Sequence, residues 1–313
     1  MEMNLTKKYM ILEISKSNTK DNRPYIRMNL IDVDGAQFQG IMFDSNKLKF
    51  EPEKGDIVNV FGTIQSYNGQ FQIKITNMEK VDADPSEFLP KGDFDENILF
   101  EDFINFVNGN LKDKYLKKLF DCFVADKTVI DKFKKMPAAK NVHHAYIGGL
   151  LEHTFSVVKL AVKMSKFYGD IVNKDLLIMG SIFHDIGKVF ELDISKGFDY
   201  TDSGKLIGHL LLGIELVNNY CKSIDNFPDE YRHLINHMVA SHHGYLEFGS
   251  PKKPKTIEAI ILHHIDDMDA KINTFRSVFI RDGVIDGGWT GYDRLLERQL
   301  FNHNIKMEED TNE

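Results

Sequence analysis

The feature that most limits the folds open to this chain is a change of hydrophobic period along it. From Tyr9 to Asp82 apolar and polar residues alternate in five short runs, YMILEIS, YIRMNLIDV, QFQGIMF, DIVNVFGTIQSY and QFQIKITNMEKV. Period two places successive side chains on opposite faces of a strand. Turn-forming residues separate the runs: DNRP at Asp21 to Pro24, DG at Asp34 and Gly35, EKGD at Glu53 to Asp56, and NG at Asn68 and Gly69. Short strands with this turn chemistry predict a small OB-type β-barrel over residues 1–82. In QFQIKIT, Phe71, Ile73 and Ile75 are expected to share its buried face.

Residues 83–97, ADPSEFLPKGDFDEN, carry Pro85, Pro90 and Gly92 and are expected to form a linker. Beyond it Ile98, Phe103, Ile104, Val107, Leu111 and Leu116 recur at helical spacing, and residues 98–305 read as amphipathic helices. These are expected near residues 146–168, 174–190, 205–220, 230–241 and 255–278. Residues 306–313 form an acidic tail. The expectation is a multi-domain α and β protein, with a barrel followed by an all-α domain.

Composition narrows the class of protein further. No stretch approaches the roughly 18 consecutive apolar residues of a membrane span, so neither a membrane partner nor secretion is expected. Cys122 and Cys221 are the two cysteines of 313 residues and lack a CxxC spacing, which fits a reducing compartment, the cytoplasm by default. The net charge of -8 argues against nucleic-acid binding through bulk electrostatics, while leaving room for a local basic groove.

All twelve histidines lie in the helical part. The most informative run is FHDIGK, Phe183 to Lys188. Adjacent His184 and Asp185 offer a nitrogen and an oxygen donor to a borderline divalent metal. Gly187 lets backbone pass close to the site, and Lys188 can hold a phosphate oxygen. Upstream, His153 is set among Leu150, Leu151, Val157 and Val158 of an apolar helical face. Downstream, Asp266 lies in ILHHIDDMDAK, another largely apolar helix. An uncompensated carboxylate there is costly, so a metal or a basic partner is expected.

The ordered set His153, His184 with Asp185, and Asp266 resembles the HD superfamily of metal-dependent phosphohydrolases. HHAYIGGLLEHT, FHDIGK, SHHG and LHHIDDMDAK, preceded by an OB-like barrel, are similar to the YhaM-type 3′-to-5′ exoribonucleases over nearly the whole chain. The resemblance implies an OB-fold followed by a helical HD domain. It implies a divalent-metal cofactor with manganese favoured, one or two ions per site, and release of nucleoside 5′-monophosphates from single-stranded RNA or DNA. It makes His153, His184, Asp185 and Asp266 the first metal's ligands. His209 and His242 take a second ion, with Asp185 bridging and His243 an alternative or additional ligand. A homo-oligomer is left open.

Other candidates keep more than one reading. Lys188 is a catalytic neighbour of the phosphate or a solvated charge at a helix end. His143 and His144 line the pocket, protonate a leaving oxygen, support a ligand, or start a helix. Asp269, three residues after Asp266, orients a ligand, contacts substrate, or forms an ion pair. In the barrel, Arg23, Tyr25, Arg27, Phe38, Phe43, Lys47, Lys49, Tyr67, Phe71 and Lys74 mix cations with aromatics, as a single-strand platform does. Tyr67, Phe71 and Lys74 are the chosen strand contacts, with Arg294 and Arg298 a C-terminal pair at i, i+4 spacing. The rival functions are a nucleotide or cyclic-nucleotide phosphohydrolase and a non-catalytic OB-type adaptor.

Overall fold

The computed structural model describes residues 3–67, 70–140 and 144–305. His143, the Asn68-Gly69 turn and the acidic tail lie outside the described residues, as does the side chain of Tyr67.

Strands β1 (Met3–Asn18), β2 (Pro24–Ile31), β3 (Gln37–Phe43), β4 (Ile57–Tyr67) and β5 (Gln70–Lys80) close a barrel in the order β1-β2-β3-β5-β4. All pairings are antiparallel except β3 with β5, the arrangement of an OB-fold. One long strand serves two neighbours. The first half of β1 pairs with β4 and the second with β2, and a bulge between Ile11 and Glu13 bends it between them. Tyr9, Ile11, Ile26, Met28, Leu30, Val58, Val60, Ile73 and Ile75 fill the interior at alternate positions. Phe71 departs from this pattern and is 74% exposed. It opens β5 opposite Ser66, beyond the Ile64–Ile73 pair that closes the core at that end.

Residues 83–97 are packed. Asp84 caps a 3-10 turn at Pro85–Phe88 by accepting from the backbone N–H of Ser86. Phe88 and Leu89 are buried with Met10, Ile31 and Ile57 of the barrel and with Ile147 of the helical part. Burial of two such side chains stabilises the junction by about 1.5–3 kcal/mol each.

The helical part holds α1 (Glu96–Asn110), α2 (Lys114–Ala125), α3 (Lys127–Lys135), α4 (Gly149–Tyr168), α5 (Lys174–Phe183), α6 (Lys188–Glu191), α7 (Asp202–Leu206), α8 (His209–Lys222), α9 (Asp229–Ser241) and α10 (Ile257–Arg281). Side-chain oxygens cap many of these, Asp95 on α1, Asp113 on α2, Asn173 on α5 and Thr256 on α10 among them. The core combines a phenylalanine cluster, including Phe103, Phe123 and Phe133, with the apolar faces of α4, α5 and α10. No helix among the described residues is long and apolar enough to cross a membrane.

Two expected helices are interrupted, and both breaks serve the site. The run 174–190 stops at Phe183, turns tightly through His184 to Gly187, and resumes as α6. The run 205–220 divides at Gly208, whose φ of 80° is a glycine conformation, so that His209 begins α8. Two short hairpins, β6 (Leu192–Asp193) with β7 (Asp199–Tyr200) and β8 (Gly288–Trp289) with β9 (Phe301–Asn302), had no clear sequence signal.

Candidate metal centre

His153 comes from α4, His184 and Asp185 from the turn after α5, His209 from the first residue of α8, and His242 from the end of α9. Asp266 comes from α10. Gly187 permits this convergence: a Cβ there would lie 2.0 Å from the carbonyl oxygen of His209, so only glycine lets the turn and α8 approach.

The hydrogen-bond partners fix the tautomers. His184 Nδ1 donates to Ser181 O at 2.8 Å and His242 Nδ1 to Val239 O at 2.9 Å, since a carbonyl oxygen can only accept. His153 Nδ1 contacts the Asp269 carboxylate at 2.8 Å and His209 Nδ1 the Glu191 carboxylate at 3.1 Å. Each Nε2 lone pair is thereby turned inward, the arrangement that outer carboxylates and carbonyls impose on metal-binding histidines.

The inward atoms form two sets around Asp185. His153 Nε2 lies 3.1 Å from His184 Nε2 and 3.1 Å from Asp266 Oδ1. Asp185 Oδ2 lies 3.6 Å from His153 Nε2 and 3.5 Å from His184 Nε2. Donors about 2.0–2.2 Å from one ion are separated by about 2.8–3.6 Å in octahedral or tetrahedral geometry. On the other side, Asp185 Oδ1 is 3.6 Å from His209 Nε2 and 3.5 Å from His242 Nε2. Asp185 Oδ1 and His209 Nε2 are buried without a hydrogen-bond partner among the described residues. Such orphaned atoms are costly unless something binds them. The donor chemistry and spacing therefore fit divalent cations. His243 extends the second set: it offers a ring nitrogen within 4.8 Å of those of His209 and His242, and its ring centroid is 4.3 Å from that of His242.

The electrostatics show the same demand for positive charge. Burial opposes ionisation of Asp185, but Lys188, His184, His242 and His209 outweigh it and hold the carboxyl well below its ordinary range. Asp266 is held down likewise, its burial outweighed by His153 and His184. Burial disfavours a charged His153, yet Asp266 and Asp269 raise it to about 9. A proton is thus favoured where a cation would sit. Burial, with His242 and His209 beside it, outweighs the pull of Asp185 and pushes His243 down to about 3.

The other candidates have distinct surroundings. Lys188 Nζ is 2.6 Å from Asp185 Oδ2. Asp269 accepts from Ser156 Oγ and contacts His144 Nε2 at 3.2 Å, so it touches His153, His144 and Ser156 together. His144 is buried, with Nδ1 2.9 Å from Tyr146 Oη and 3.0 Å from Glu152 Oε2, and its backbone N–H donates to Asn273. Its φ of 46° is left-handed. An open cleft of about 340 Å³ over the donors is lined by Lys188, His243, Tyr245, His263, Asp267 and Lys271 among others. Arg294 and Arg298 do not line it. They occupy the connection between β8 and β9, where Asp293 and Arg298 are bridged, so no helical i, i+4 face exists there. Lys74 and Phe71 are exposed on β5.

Sequence reasoning missed Glu191, Glu152 and Tyr146. Glu191 holds His209 through both its backbone N–H, at 3.0 Å, and its ring. The position of these groups relative to the histidines depends on tertiary packing and had no local signal.

Comparison with known proteins completes the picture. The HD domain profile matches residues 150–271, and the profile of an OB-fold nucleic acid binding domain matches residues 10–81. The TraI_2 profile also matches, over residues 112–172. A 3′-5′ exoribonuclease YhaM from Listeria welshimeri is 33% identical over 280 residues, covering 86% of each chain. The chain belongs to the YhaM family. Its YhaM relative from a Geobacillus species is 32% identical over 305 residues, covering 93% of this chain and 89% of the other. The Bacillus subtilis YhaM is 29% identical over 301 residues, covering 94% and 93%. Membership of the YhaM family makes this chain an enzyme with an OB-fold and an HD phosphohydrolase domain.

Proposed function

We propose that this protein removes nucleotides from the 3′ end of single-stranded RNA, with single-stranded DNA an alternative strand, releasing nucleoside 5′-monophosphates. Manganese is the favoured cofactor, one or two ions per site, and the two free cysteines fit a cytoplasmic setting. The observation that carries the reading is the pair of inward-facing donor sets on the two oxygens of Asp185, one of which has no hydrogen-bond partner among the described residues.

In this reading His153, His184, Asp185 and Asp266 hold the first ion, and His209, His242 and Asp185 the second, with His243 beside them. Bound divalent ions neutralise phosphodiester charge and lower the pKa of water, the two requirements for attack on an anionic ester. The chain's own groups organise the rest. Lys188 balances Asp185 and faces the cleft, where its ammonium can meet a non-bridging phosphate oxygen. Tyr245 and His243 wall the cleft beside the reacting phosphate. Asp269 and His144 act as positioning residues: Asp269 fixes the ring of His153, and His144, held by Glu152, fixes Asp269.

On the barrel, the Tyr25 and Phe43 rings lie 5.9 Å apart and Arg27 sits 5.4 Å above Tyr25. Together they form a stacking surface for bases. Phe71, an exposed aromatic of β5, offers a further ring for stacking.

The test is a 5′-labelled single-stranded oligoribonucleotide incubated with protein and manganese. Stepwise shortening with mononucleotide products is expected, together with loss of hydrolysis in a folded Asp185→Asn variant. Turnover of free nucleotides or cyclic nucleotides without shortening of the strand would overturn the reading.

A further inference from the structure

Three concavities on the surface share walls, and a fourth starts at the sequence neighbours of the third. The first, on the barrel, is lined by Lys20, Tyr25, Arg27 and Phe43. Arg27 also lines the second, which continues past Asn29 and Gln39 to Lys54. Asn29 and Lys54 line the third, at the junction of barrel and helices, with Lys140, Lys196, Pro90 and Ala145. The fourth begins at Lys91 and Tyr146, sequence neighbours of Pro90 and Ala145. It passes Lys159 and Arg276 and ends at His144 and Asp269, on the Nδ1 side of His153, without sharing a lining residue with the cleft over the donors. Asp269 contacts the ligand-set residue His153 and lies on the same helix as Asp266.

The charge along this path differs from that of the whole molecule. In a chain of net charge -8, its walls present Lys20, Arg27, Lys54, Lys140, Lys196 and Lys91 in succession. Of the acids beside them, Glu13 accepts a hydrogen bond from Asn29, Glu152 and Asp269 are engaged with His144, and Asp93 stands next to Lys91 in the fourth concavity. Among the described residues, Arg27, Lys91, Lys159 and Arg276 have no carboxylate ion-pair partner.

The junction has the most distinctive geometry. Lys54, from the segment between β3 and β4, and Lys140, from the helical part, both bond the carboxylate of Asp199, Lys140 at 2.9 Å. Burial opposes the charge on Asp199, but the two lysines hold it strongly ionised. Two ammonium groups brought from two bodies onto the two oxygens of one small anion also suit the two non-bridging oxygens of a phosphodiester.

We propose that the 5′-ward part of a single-stranded RNA lies in this track, and that Lys54 and Lys140 grip one of its phosphates at the junction in competition with Asp199. The inference rests on the proposed exonuclease reading for the placement of the 3′ end. Its occupant is a strand because the walls combine stackable rings at one end with a succession of cations leading toward the metal centre.

The test measures binding of a fluorescent single-stranded RNA of about 12 nucleotides, within the site size of about 4 to 16 nucleotides per OB-fold. Fluorescence anisotropy without divalent metal reads binding separately from cleavage, so the track is judged even if no RNA is cut. Each single-strand phosphate contact contributes about 0.7 to the slope of log affinity against log salt, or about fivefold in affinity near 0.1 M. Lys54→Ala and Lys140→Ala are each expected to weaken binding by about that factor and to flatten the salt slope. Lys91→Ala, at an exposed position, gives the same direction with little demand on folding. Asp199→Asn decides the role of the carboxylate. It is expected to tighten binding, because the competing anion is gone. Weaker binding in Asp199→Asn, like that of the lysine variants, would make the trio a structural latch and overturn the junction grip. Unchanged binding in Lys54→Ala, Lys140→Ala and Lys91→Ala would overturn the track.

Discussion

Replacing Asp269 tests how far the metal centre depends on a residue outside its donor sets. The carboxylate holds the Nδ1 side of His153 at 2.8 Å and also receives His144 and Ser156. In Asp269→Ala all three lose their acceptor, and the buried Nδ1–H of His153 is left unpaired, a cost of about 1–3 kcal/mol. His153 then gains by turning, which removes its Nε2 from the cluster. Loss of such an outer partner typically weakens metal affinity 10–100-fold, or about 1.4–2.7 kcal/mol. Asp269→Asn is expected to fall at or below the lower end, because the amide oxygen can keep His153 while its NH2 turns toward the Ser156 hydroxyl. The expected order of manganese affinity is wild type, then Asn, then Ala. Isothermal titration and the metal-induced rise in Tm both measure it without relying on turnover. A second effect runs the other way: without Asp269 the His153 proton is held less tightly and competes less with the ion. Titration at pH 7 and again near pH 9 separates the two, since the competition fades as His153 loses its proton at about 9. An Asp269→Ala protein that bound manganese within twofold of wild type at both pH values would refute the reasoning.

Three further outcomes are expected. In metal-free protein, His153 is raised from its ordinary value to about 9. Its contribution to stability is therefore fully present below about pH 6.5 and lost as the pH rises through 9, on the order of 3 kcal/mol, measurable by urea melts across that window. Gly187→Ala places a Cβ 2.0 Å from the backbone oxygen of His209 and is expected to cost at least about 1–3 kcal/mol, lowering Tm by several degrees; an unchanged Tm would mean that the turn yields freely. Phe43→Ala is expected to weaken single-strand binding by about 1–3 kcal/mol if a base stacks there, with the thermal melt nearly unaltered because the ring is 47% exposed.

The barrel and the helical part were legible because burial imposes a period, and each period survived in the sequence. Ile73 and Ile75 occupy the buried face that their alternation predicts, whereas Phe71 does not, because alternation cannot tell where a barrel's core ends along a strand. The inward-facing histidines were approachable because His184 and Asp185 are adjacent, a local signal. Choosing between His242 and His243 required geometry: His242 donates to Val239 and turns its other nitrogen toward Asp185. Gly187 was readable as a point of close backbone turning, but the full interruption of the 174–190 run, and the break at Gly208, were not. An apolar helical pattern continues through both, and the contact that requires each interruption lies in a different helix. Arg294 and Arg298 show the converse, since four-residue spacing means a shared face only where a helix exists. Lys54, Lys140 and Asp199 are far apart in sequence: packing of the helical part brings Lys140 to Asp199, and the docking of the barrel adds Lys54.

Phe88 and Leu89 fasten the barrel to the helices through a common apolar cluster. While that cluster stays buried, the distance between the stacking rings and the donor sets acts as a gauge. If the RNA lies as proposed, each round of trimming must be followed by the strand sliding past stationary contacts. Once the remnant is shorter than the gauge, it loses its hold on the rings, and digestion slows to leave a residual fragment whose size reports the span of the molecule.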